Sequence, residues 1–259
     1  MDDNSRLSKQ IWIAVIFIMI LAGIGFGIYK WVSPAKPMPT PNLLADLDPI
    51  QILSSKLFNV RNNDYDFMAR VYNPNLLYGA VNVDYAVTFY NSMGQPIGDK
   101  NGNFYILPGQ TKYIINSPLS FSEPAFSAEV KINSVEWQEV DKLAASGVTL
   151  LIRSGNYGQI NQPNLFSKVG GDIFNGSDFD LNDVDIALVL LDKDNNPLAA
   201  GKTEIKTFLA KTTRGFEVSW VAPFVGQVFR VDAEATTNIF ENLNFLRRYG
   251  GHEKFKQLY

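Results

Sequence analysis

The sequence predicts an all-β fold of two tandem antiparallel β-sandwiches that follow one N-terminal transmembrane α-helix. Three observations predict it: an uncharged apolar run near the N-terminus, a segment of about 100 residues that occurs twice, and strands in each copy that alternate apolar and polar residues. The chain has 259 residues, which leaves room for about two domains of ~100–150 residues each.

The composition argues against several classes of function. The net charge is −3 and the isoelectric point is near 5.3, which disfavours a nucleic-acid-binding surface. The chain has no cysteine, so disulfides and thiolate sites are excluded. Its single histidine, His252, lies seven residues from the end, outside the predicted domains. We therefore predict no catalytic residue, no cofactor and no enzymatic activity.

The N-terminal apolar run predicts a membrane anchor. Residues 11–29 carry no charge, and nineteen residues at ~1.5 Å each span roughly 28 Å, close to the thickness of a bilayer's hydrocarbon layer. Trp12 and Trp31 lie at its two ends, where amphipathic rings favour the headgroup level. After a short tail, residues 1–10, we predict an uncleaved signal anchor that crosses the lipid bilayer over residues 11–32.

Two further features accompany this anchor. Gly23 and Gly27 form a small-xxx-small pair that is typical of helix dimerisation, although glycine is also common in membrane helices generally. Residues 33–44 are rich in proline and predict an extended stalk. Because nearly all of the foldable chain follows the anchor, we predict a single-pass cell-membrane protein with a cytoplasmic N-terminus and extracytoplasmic domains.

The internal repeat defines the two domains. Residues 83–87 match residues 184–188, and the shared register continues through a polar turn, Asn91 to Gln95 in one copy and Asp192 to Asn196 in the other. Short strands separated by turns every eight to twelve residues predict an immunoglobulin-like (fibronectin III-like) sandwich. We place the first sandwich at 45–142 and the second at 146–240, and the short link between them predicts a semi-rigid rod.

The first copy also resembles a known family. Asn73-Pro74-Asn75 and Leu107-Pro108-Gly109-Gln110 flank its alternating strand. In these turns the chain resembles the FxLYD family of bacterial envelope proteins and the related water-stress (late embryogenesis abundant group 2) domain. The resemblance implies sandwiches of this size in the cell envelope, and it implies no catalytic residues.

Acidic residues concentrate in the second copy. Four of them are weak candidates for a divalent-metal site at one edge of the sandwich, the alternative being an exposed entry to a strand: Asp178, Asp180, Asp183 and Asp185. The turn from Asp192 to Asn196 begins like a calcium loop, but Pro197 replaces the required glycine, which favours a solvated turn.

The C-terminal tail, residues 241–259, combines basic and large apolar residues. This pattern favours a docking segment for a partner, and a frayed terminus or an edge strand is the alternative. The partner-binding candidates are Phe245, Arg247, Arg248, Tyr249, Lys254, Phe255 and Lys256.

Together these features predict a non-enzymatic, membrane-anchored envelope protein. Its two sandwich modules would mediate protein–protein interaction, for example as an accessory subunit of a membrane complex. The alternative is a module that binds an envelope polysaccharide or another ligand.

Overall fold

The computed structural model describes residues 12, 15, 18–23, 47–140 and 147–249, without the side chains of 154, 161 and 247–249. The chain divides into two compact units, residues 1–46 and residues 47–259. In the first unit, residues 12, 15 and 18–23 are helical. The part of this unit that is described contains no helix long and apolar enough to cross a membrane. Most of the predicted span 11–32, including Gly27 and Trp31, lies outside the described residues, as does the stalk.

The second unit begins with six antiparallel strands in two three-stranded sheets. Sheet I has the order β1-β2-β5 and sheet II the order β4-β3-β6. The strands are β1 (Gln51–Arg61), β2 (Asp64–Tyr72), β3 (Tyr78–Tyr90), β4 (Pro96–Ile106), β5 (Thr111–Ser120) and β6 (Ser127–Glu139).

Six further strands repeat this arrangement. Sheet III has the order β7-β8-β11 and sheet IV the order β10-β9-β12, so each strand takes the place of its counterpart six strands earlier. The strands are β7 (Leu150–Gln162), β8 (Leu165–Asn175), β9 (Leu181–Leu191), β10 (Pro197–Phe208), β11 (Thr213–Trp220) and β12 (Arg230–Thr236), and helix α1 (Leu243–Tyr249) follows them. The prediction of an all-β fold with antiparallel sheets is confirmed.

Equivalent turns in the two copies have the same hydrogen bonds. The side-chain oxygen of Asn91 accepts the backbone N–H of Gln95 at 3.0 Å, and that of Asp192 accepts the N–H of Asn196 at 2.8 Å. Each turn also places one residue at positive φ, Gly94 at 76° and Asn195 at 63°. Glycine and asparagine tolerate this conformation best, which explains why the two sequences differ there without a change of turn.

A buried asparagine closes the same loop in both copies. The side-chain amide of Asn73 donates to the carbonyls of Tyr78 (2.7 Å) and Leu107 (3.0 Å). Asn175 donates in the same way to Phe179 (2.8 Å) and Phe208 (3.1 Å). Neither asparagine is exposed to solvent. These bonds pair the buried amide with loop carbonyls from two different segments and so hold the loop together.

Each sandwich has its own core, built by the period-two alternation of its strands. On β2, Phe67, Ala69 and Val71 face sheet II and pack against Val87 and Phe89 of β3. In the second sandwich the corresponding core includes Ile186, Leu188 and Leu190 of β9. The alternation predicted for both copies is therefore the alternation that forms both cores.

The two sandwiches also pack against each other, face to face. Met68 points away from the first core and is fully buried against the outer face of sheet IV, where Val189, Leu191 and Ala200 are buried too. Strands β9 and β10 therefore bury side chains on both faces. The short linker predicted a semi-rigid rod, and the structure shows a closer association: the apolar outer faces of sheets I and IV pack against each other and shield these side chains from water.

Candidate functional site

A cleft of about 950 Å³ lies beside this interface, between the two sandwiches. One wall comes from β5 and from the ends of β3 and β4 in the first sandwich. The other wall comes from sheet IV and from residues 236–242, which connect β12 to helix α1. Clefts of this size between packed domains are the usual position of binding sites.

The cleft is rich in charged and amide side chains. Six carboxylates and two lysines line it: Glu136, Asp183, Asp185, Glu204, Glu234, Glu241, Lys112 and Lys202. Six asparagines line it as well: Asn82, Asn103, Asn116, Asn182, Asn238 and Asn242. The excess of carboxylates gives the cleft a negative potential, which a concave shape strengthens.

The register of sheet IV concentrates this negative charge. Asp185 of β9 lies directly opposite Glu204 of β10, and Thr236 of β12 flanks it on the other side. Asp183, two residues before Asp185, projects from the same face because side chains alternate along a strand. Asp183, Asp185 and Glu204 are exposed to solvent. Like charges directly opposite each other in a sheet are unfavourable, so this pair favours a cation beside it.

Lys112 of β5 is buried in the opposite wall, with 6% of its surface exposed. Its ammonium group lies 3.3 Å from the centre of the Tyr105 ring. Within the described residues, its Nζ has no hydrogen-bond partner. Burial lowers the pKa of Lys112 to about 8, and the charges of Asp185 and Glu234 oppose this shift. At neutral pH the group is therefore mostly a cation.

Glu234 of β12 is held across the interface by hydrogen bonds. Its Oε2 accepts the backbone N–H of Tyr113 at 2.9 Å, and its Oε1 accepts the side chain of Gln110 at 3.5 Å. Burial raises the pKa of Glu234 to about 7, and the Tyr113 N–H and the charge of Lys112 oppose the rise. Glu234 thus changes its protonation close to neutral pH.

Two tyrosine hydroxyls add further polar contacts between the sandwiches. Tyr105 donates to Oγ1 of Thr236 at 3.0 Å, and Tyr113 donates to Oδ2 of Asp232 at 2.7 Å. Burial raises the pKa of both phenols above the ordinary value. Both therefore remain protonated donors, and they fix the walls of the cleft relative to each other.

Asn116 supplies a second buried donor without a partner. Its Oδ1 accepts the hydroxyl of Tyr85 at 3.1 Å, while its Nδ2 has no acceptor among the described residues. Lys112 and Asn116 both line the cleft. Buried donors in native proteins are almost always paired with a protein acceptor or an ordered water, so these two donors are available to an acceptor that enters the cleft, either a water molecule or a ligand.

The acidic residues predicted as a metal set divide between two places. Asp178 pairs with Lys211 at 2.8 Å, and Asp180 accepts the backbone N–H of Ala210 at 2.8 Å, both in the loop region before β9. Asp183 and Asp185 line the cleft instead. Among the described residues, no group of three or more acidic or histidine side chains is placed to hold a metal ion. The four aspartates therefore do not converge.

The turn that begins like a calcium loop is satisfied by its own backbone. Oδ1 of Asp192 accepts the backbone N–H groups of Asp194 and Asn196, both at 2.8 Å. The side-chain amide of Asn196, which donates to Oδ2 of Asp192 at 3.0 Å, contributes most to lowering the pKa of Asp192, and the two backbone bonds add to it. The geometry is that of a turn that uses its carboxylate as a cap.

The tail residues predicted to contact a partner fall into two groups. Phe245 lies in helix α1 with 4% of its surface exposed, and its ring meets that of Phe179 edge-on at 5.6 Å. It is a core residue of the second sandwich, and this burial removes it from the set of exposed candidates. Arg247, Arg248 and Tyr249 belong to the same helix, but their side chains lie outside the described residues, as do Lys254, Phe255 and Lys256.

Sequence reasoning missed Lys112, Glu234 and Tyr105, which come together only when the sandwiches pack. One signal was available: residues 187–191 form a continuous apolar run, Ala-Leu-Val-Leu-Leu, where the first copy alternates. Such a run predicts a strand buried on both faces. It would have located the interface, although it would not have identified the polar residues beside it.

Comparisons with known proteins place the chain in no family. No family model matches it, and no curated protein matches it. Solved structures give weak similarities. A transglutaminase of red sea bream matches with a TM-score of 0.23 and 10% identity, over 71% of this chain and 29% of that chain. The calcium binding domain CBD12 of CALX1.1 matches with a TM-score of 0.19 and 11% identity, over 66% of this chain and 74% of that chain. A glycosyl hydrolase family 2 member from Bacteroides cellulosilyticus matches with a TM-score of 0.19 and 9% identity, over 68% of this chain and 27% of that chain. The chain thus spans less than a third of the transglutaminase, and TM-scores this low carry no argument about function. The resemblance to the FxLYD family stays a prediction.

Proposed function

We propose that this protein is a non-enzymatic, membrane-anchored protein of the cell envelope whose two sandwiches act together to bind a protein partner. One observation carries the proposal: the sandwiches pack as one unit and enclose a charged cleft with two buried donors that find no acceptor in the described part of the chain. Binding sites commonly form where two domains meet.

The finer structural description belongs to the same proposal. We infer an immunoglobulin-like (fibronectin III-like) class for both sandwiches, which the repeated strand order supports. A membrane-spanning helix over residues 11–32 is supported by the uncharged run in the sequence. With the N-terminus in the cytoplasm, both sandwiches would lie outside the cell membrane.

The chemistry of the cleft supports binding rather than catalysis. The lysine in the cleft wall, Lys112, is mostly protonated at neutral pH and lies against the Tyr105 ring, so its main form is a hydrogen-bond donor. The tyrosine hydroxyls act as donors within the interface. What the cleft offers a ligand is therefore charge and hydrogen bonds.

A mild-detergent affinity purification of the full-length protein, analysed by mass spectrometry, tests this function. We expect a stoichiometric protein partner, and we expect Asp183→Asn/Glu204→Gln to reduce its recovery at least fivefold. Asp99→Asn/Glu217→Gln, which removes the same charge from exposed positions outside the cleft, serves as the control. Equal recovery with both double variants would separate the partner from the cleft.

The same purification tests the tail if the chain is ended after Tyr249 rather than after Phe240. A chain that ends at Phe240 also loses Phe245 and Asn242, which are 4% and 3% exposed and belong to the folded second sandwich. If the full-length protein recovers the partner and the chain that ends at Tyr249 does not, the contact is assigned to residues 250–259, because the cleft is intact in both.

The alternative function, binding of an envelope polysaccharide, is favoured by the six asparagines that line the cleft, since side-chain amides pair well with hydroxyl groups. A glycan array measures it directly. Binding that disappears in Asp183→Asn/Glu204→Gln would support this alternative, and an array without signal would remove it.

A further inference from the structure

We propose that the cleft between the two sandwiches binds a short, extended, basic peptide segment of a protein partner. This inference rests on the proposed function and adds the chemical class of the ligand. It uses four properties of the cleft: its charge, the register of its acidic wall, its unpaired donors and its buried aromatic rings.

The charge of the cleft favours a cationic ligand. Of the eight carboxylate and lysine side chains that line it, six are carboxylates. The charge of Lys112 already interacts with Asp185 and Glu234, so it does not offset the others. One exposed lysine, Lys202, remains beside four exposed carboxylates: Glu136, Asp183, Glu204 and Glu241. A concave surface of one sign attracts ligands of the other sign and raises their association rate.

The register of sheet IV marks where a cation would bind. Glu204 and Asp185 are opposite residues on paired strands, and both are exposed in the cleft. Lys206 reaches Glu204 at 3.7 Å from two residues along the same strand, but its side chain is 72% exposed and does not line the cleft. A lysine or arginine side chain from a ligand would relieve the remaining repulsion between the opposed carboxylates.

The unpaired donors favour a ligand that also carries acceptor oxygens. Nζ of Lys112 and Nδ2 of Asn116 are buried and lack acceptors among the described residues. Backbone carbonyls of an extended peptide are strong acceptors, and successive carbonyls point to opposite sides of such a chain. A basic peptide therefore matches both walls, since its carbonyls pair with the donors while its cationic side chains meet the carboxylates.

The aromatic rings beside the cleft disfavour a sugar as the main ligand. Tyr85 and Tyr105 expose 5% and 8% of their surface, and Tyr105 is covered by the ammonium group of Lys112. Phe104, which is half-buried, packs against Tyr85 with ring centres 5.8 Å apart. Sugar recognition usually stacks a ring of the ligand on an exposed aromatic face, and these faces are occupied within the protein. An anionic polymer would be repelled by the carboxylates.

The test uses the full-length protein in a neutral detergent and a fluorescein-labelled, N-acetylated octapeptide that alternates lysine and alanine. A matched peptide with glutamate in place of lysine is the ligand control. We expect fluorescence anisotropy at low salt to give at least tenfold tighter binding of the lysine peptide. Asp183→Asn/Glu204→Gln should weaken that binding tenfold or more, whereas Asp99→Asn/Glu217→Gln should change it less than twofold.

A second variant tests the donors independently of the charge. Asn116→Ala removes one unpaired donor without a change of charge, and we expect it to weaken the lysine peptide about threefold or more. Equal binding of the two peptides would overturn the inference, and so would an equal loss in both double variants, which indicates non-specific attraction. Competition by a neutral oligosaccharide at lower concentration than the lysine peptide would overturn it in favour of a sugar site.

The outcomes separate this inference from the proposed function. If the purified partner is lost in Asp183→Asn/Glu204→Gln while the lysine peptide does not bind, the protein function stands and the ligand class is wrong. If the lysine peptide binds in the cleft while no partner is recovered, the cleft chemistry stands and the proposed role in a protein complex is wrong.

Discussion

The hydroxyl of Tyr105, at the end of β4, donates a buried hydrogen bond of 3.0 Å to Oγ1 of Thr236, at the end of β12. The two residues are 131 positions apart and belong to different sandwiches. Both are less than a tenth exposed, so the bond is shielded from water and fixes the two walls of the cleft.

Tyr105→Phe should therefore destabilise the protein through this bond alone. The ring and its contact with Lys112 are retained, while Thr236 loses its donor, which costs about 1–2 kcal/mol. Chemical denaturation followed by tryptophan fluorescence measures the change. Tyr90→Phe is the matched control, since its hydroxyl bonds Glu129 at an exposed position, and it should cost less than ~0.5 kcal/mol. Equal effects would show that the Tyr105 bond is not special.

Met68→Ala tests the packing of one sandwich on the other. Met68 is fully buried between sheets I and IV, so truncation should cost ~2–4 kcal/mol through lost burial and a cavity. Met93 is 75% exposed in the β3–β4 turn, and Met93→Ala should change stability by less than ~0.5 kcal/mol. Thermal unfolding of both variants decides the question, and a Met68→Ala protein as stable as Met93→Ala would argue against the interface.

The paired asparagines predict similar costs in the two copies. Asn73→Ala and Asn175→Ala each remove side-chain hydrogen bonds to two loop carbonyls, which should cost ~2–4 kcal/mol at either site. Asn59→Ala, which removes one exposed bond to Asn62, should cost less than ~0.5 kcal/mol. Denaturant midpoints of the three variants provide the comparison. A large effect in only one copy would show that the two asparagines do not contribute equally to the free energy of unfolding.

Glu234 makes the stability of the protein depend on pH near neutrality. Its pKa is raised by burial from 4.5 to about 7, so the folded protein keeps a proton that the unfolded chain has already lost between these values. The contribution of this proton to stability is complete below about pH 4.5 and is lost as the pH rises through 7. Glu234→Gln keeps an acceptor for Tyr113 and removes the titration.

As the pH rises from 5 to 8, we therefore expect the stability of Glu234→Gln to increase relative to that of the natural protein. The measurement is the difference in melting temperature between Glu234→Gln and the natural protein at both pH values. Glu217→Gln, at an exposed ion pair with Lys168, should show no such trend. A constant difference for Glu234→Gln across this range would contradict the raised pKa.

Much of each sandwich could be predicted from single positions. The alternation of Val83, Tyr85, Val87 and Phe89 identified β3 and its buried face, because a half-buried strand requires a period of two. The matching turns at Asn91 and Asp192 were also predictable, since such side chains cap tight turns through local bonds. The metal hypothesis depends on a relationship of the opposite kind, because the spacing of four aspartates says nothing about whether a loop and a strand bring them together.

The sequence by itself determined the elements, the repeat and the two separate cores, because these depend on local periodicity and on contacts within about 100 residues. Only the tertiary structure decided that sheet I packs on sheet IV, that Lys112 and Glu234 share a cleft, and that Phe245 is buried. The physical reason is that an outer face of a sheet looks the same in sequence whether water or another sheet covers it, until its partner's apolar surface is known. The cleft is a product of that docking, and its chemistry comes from residues that no linear pattern connects.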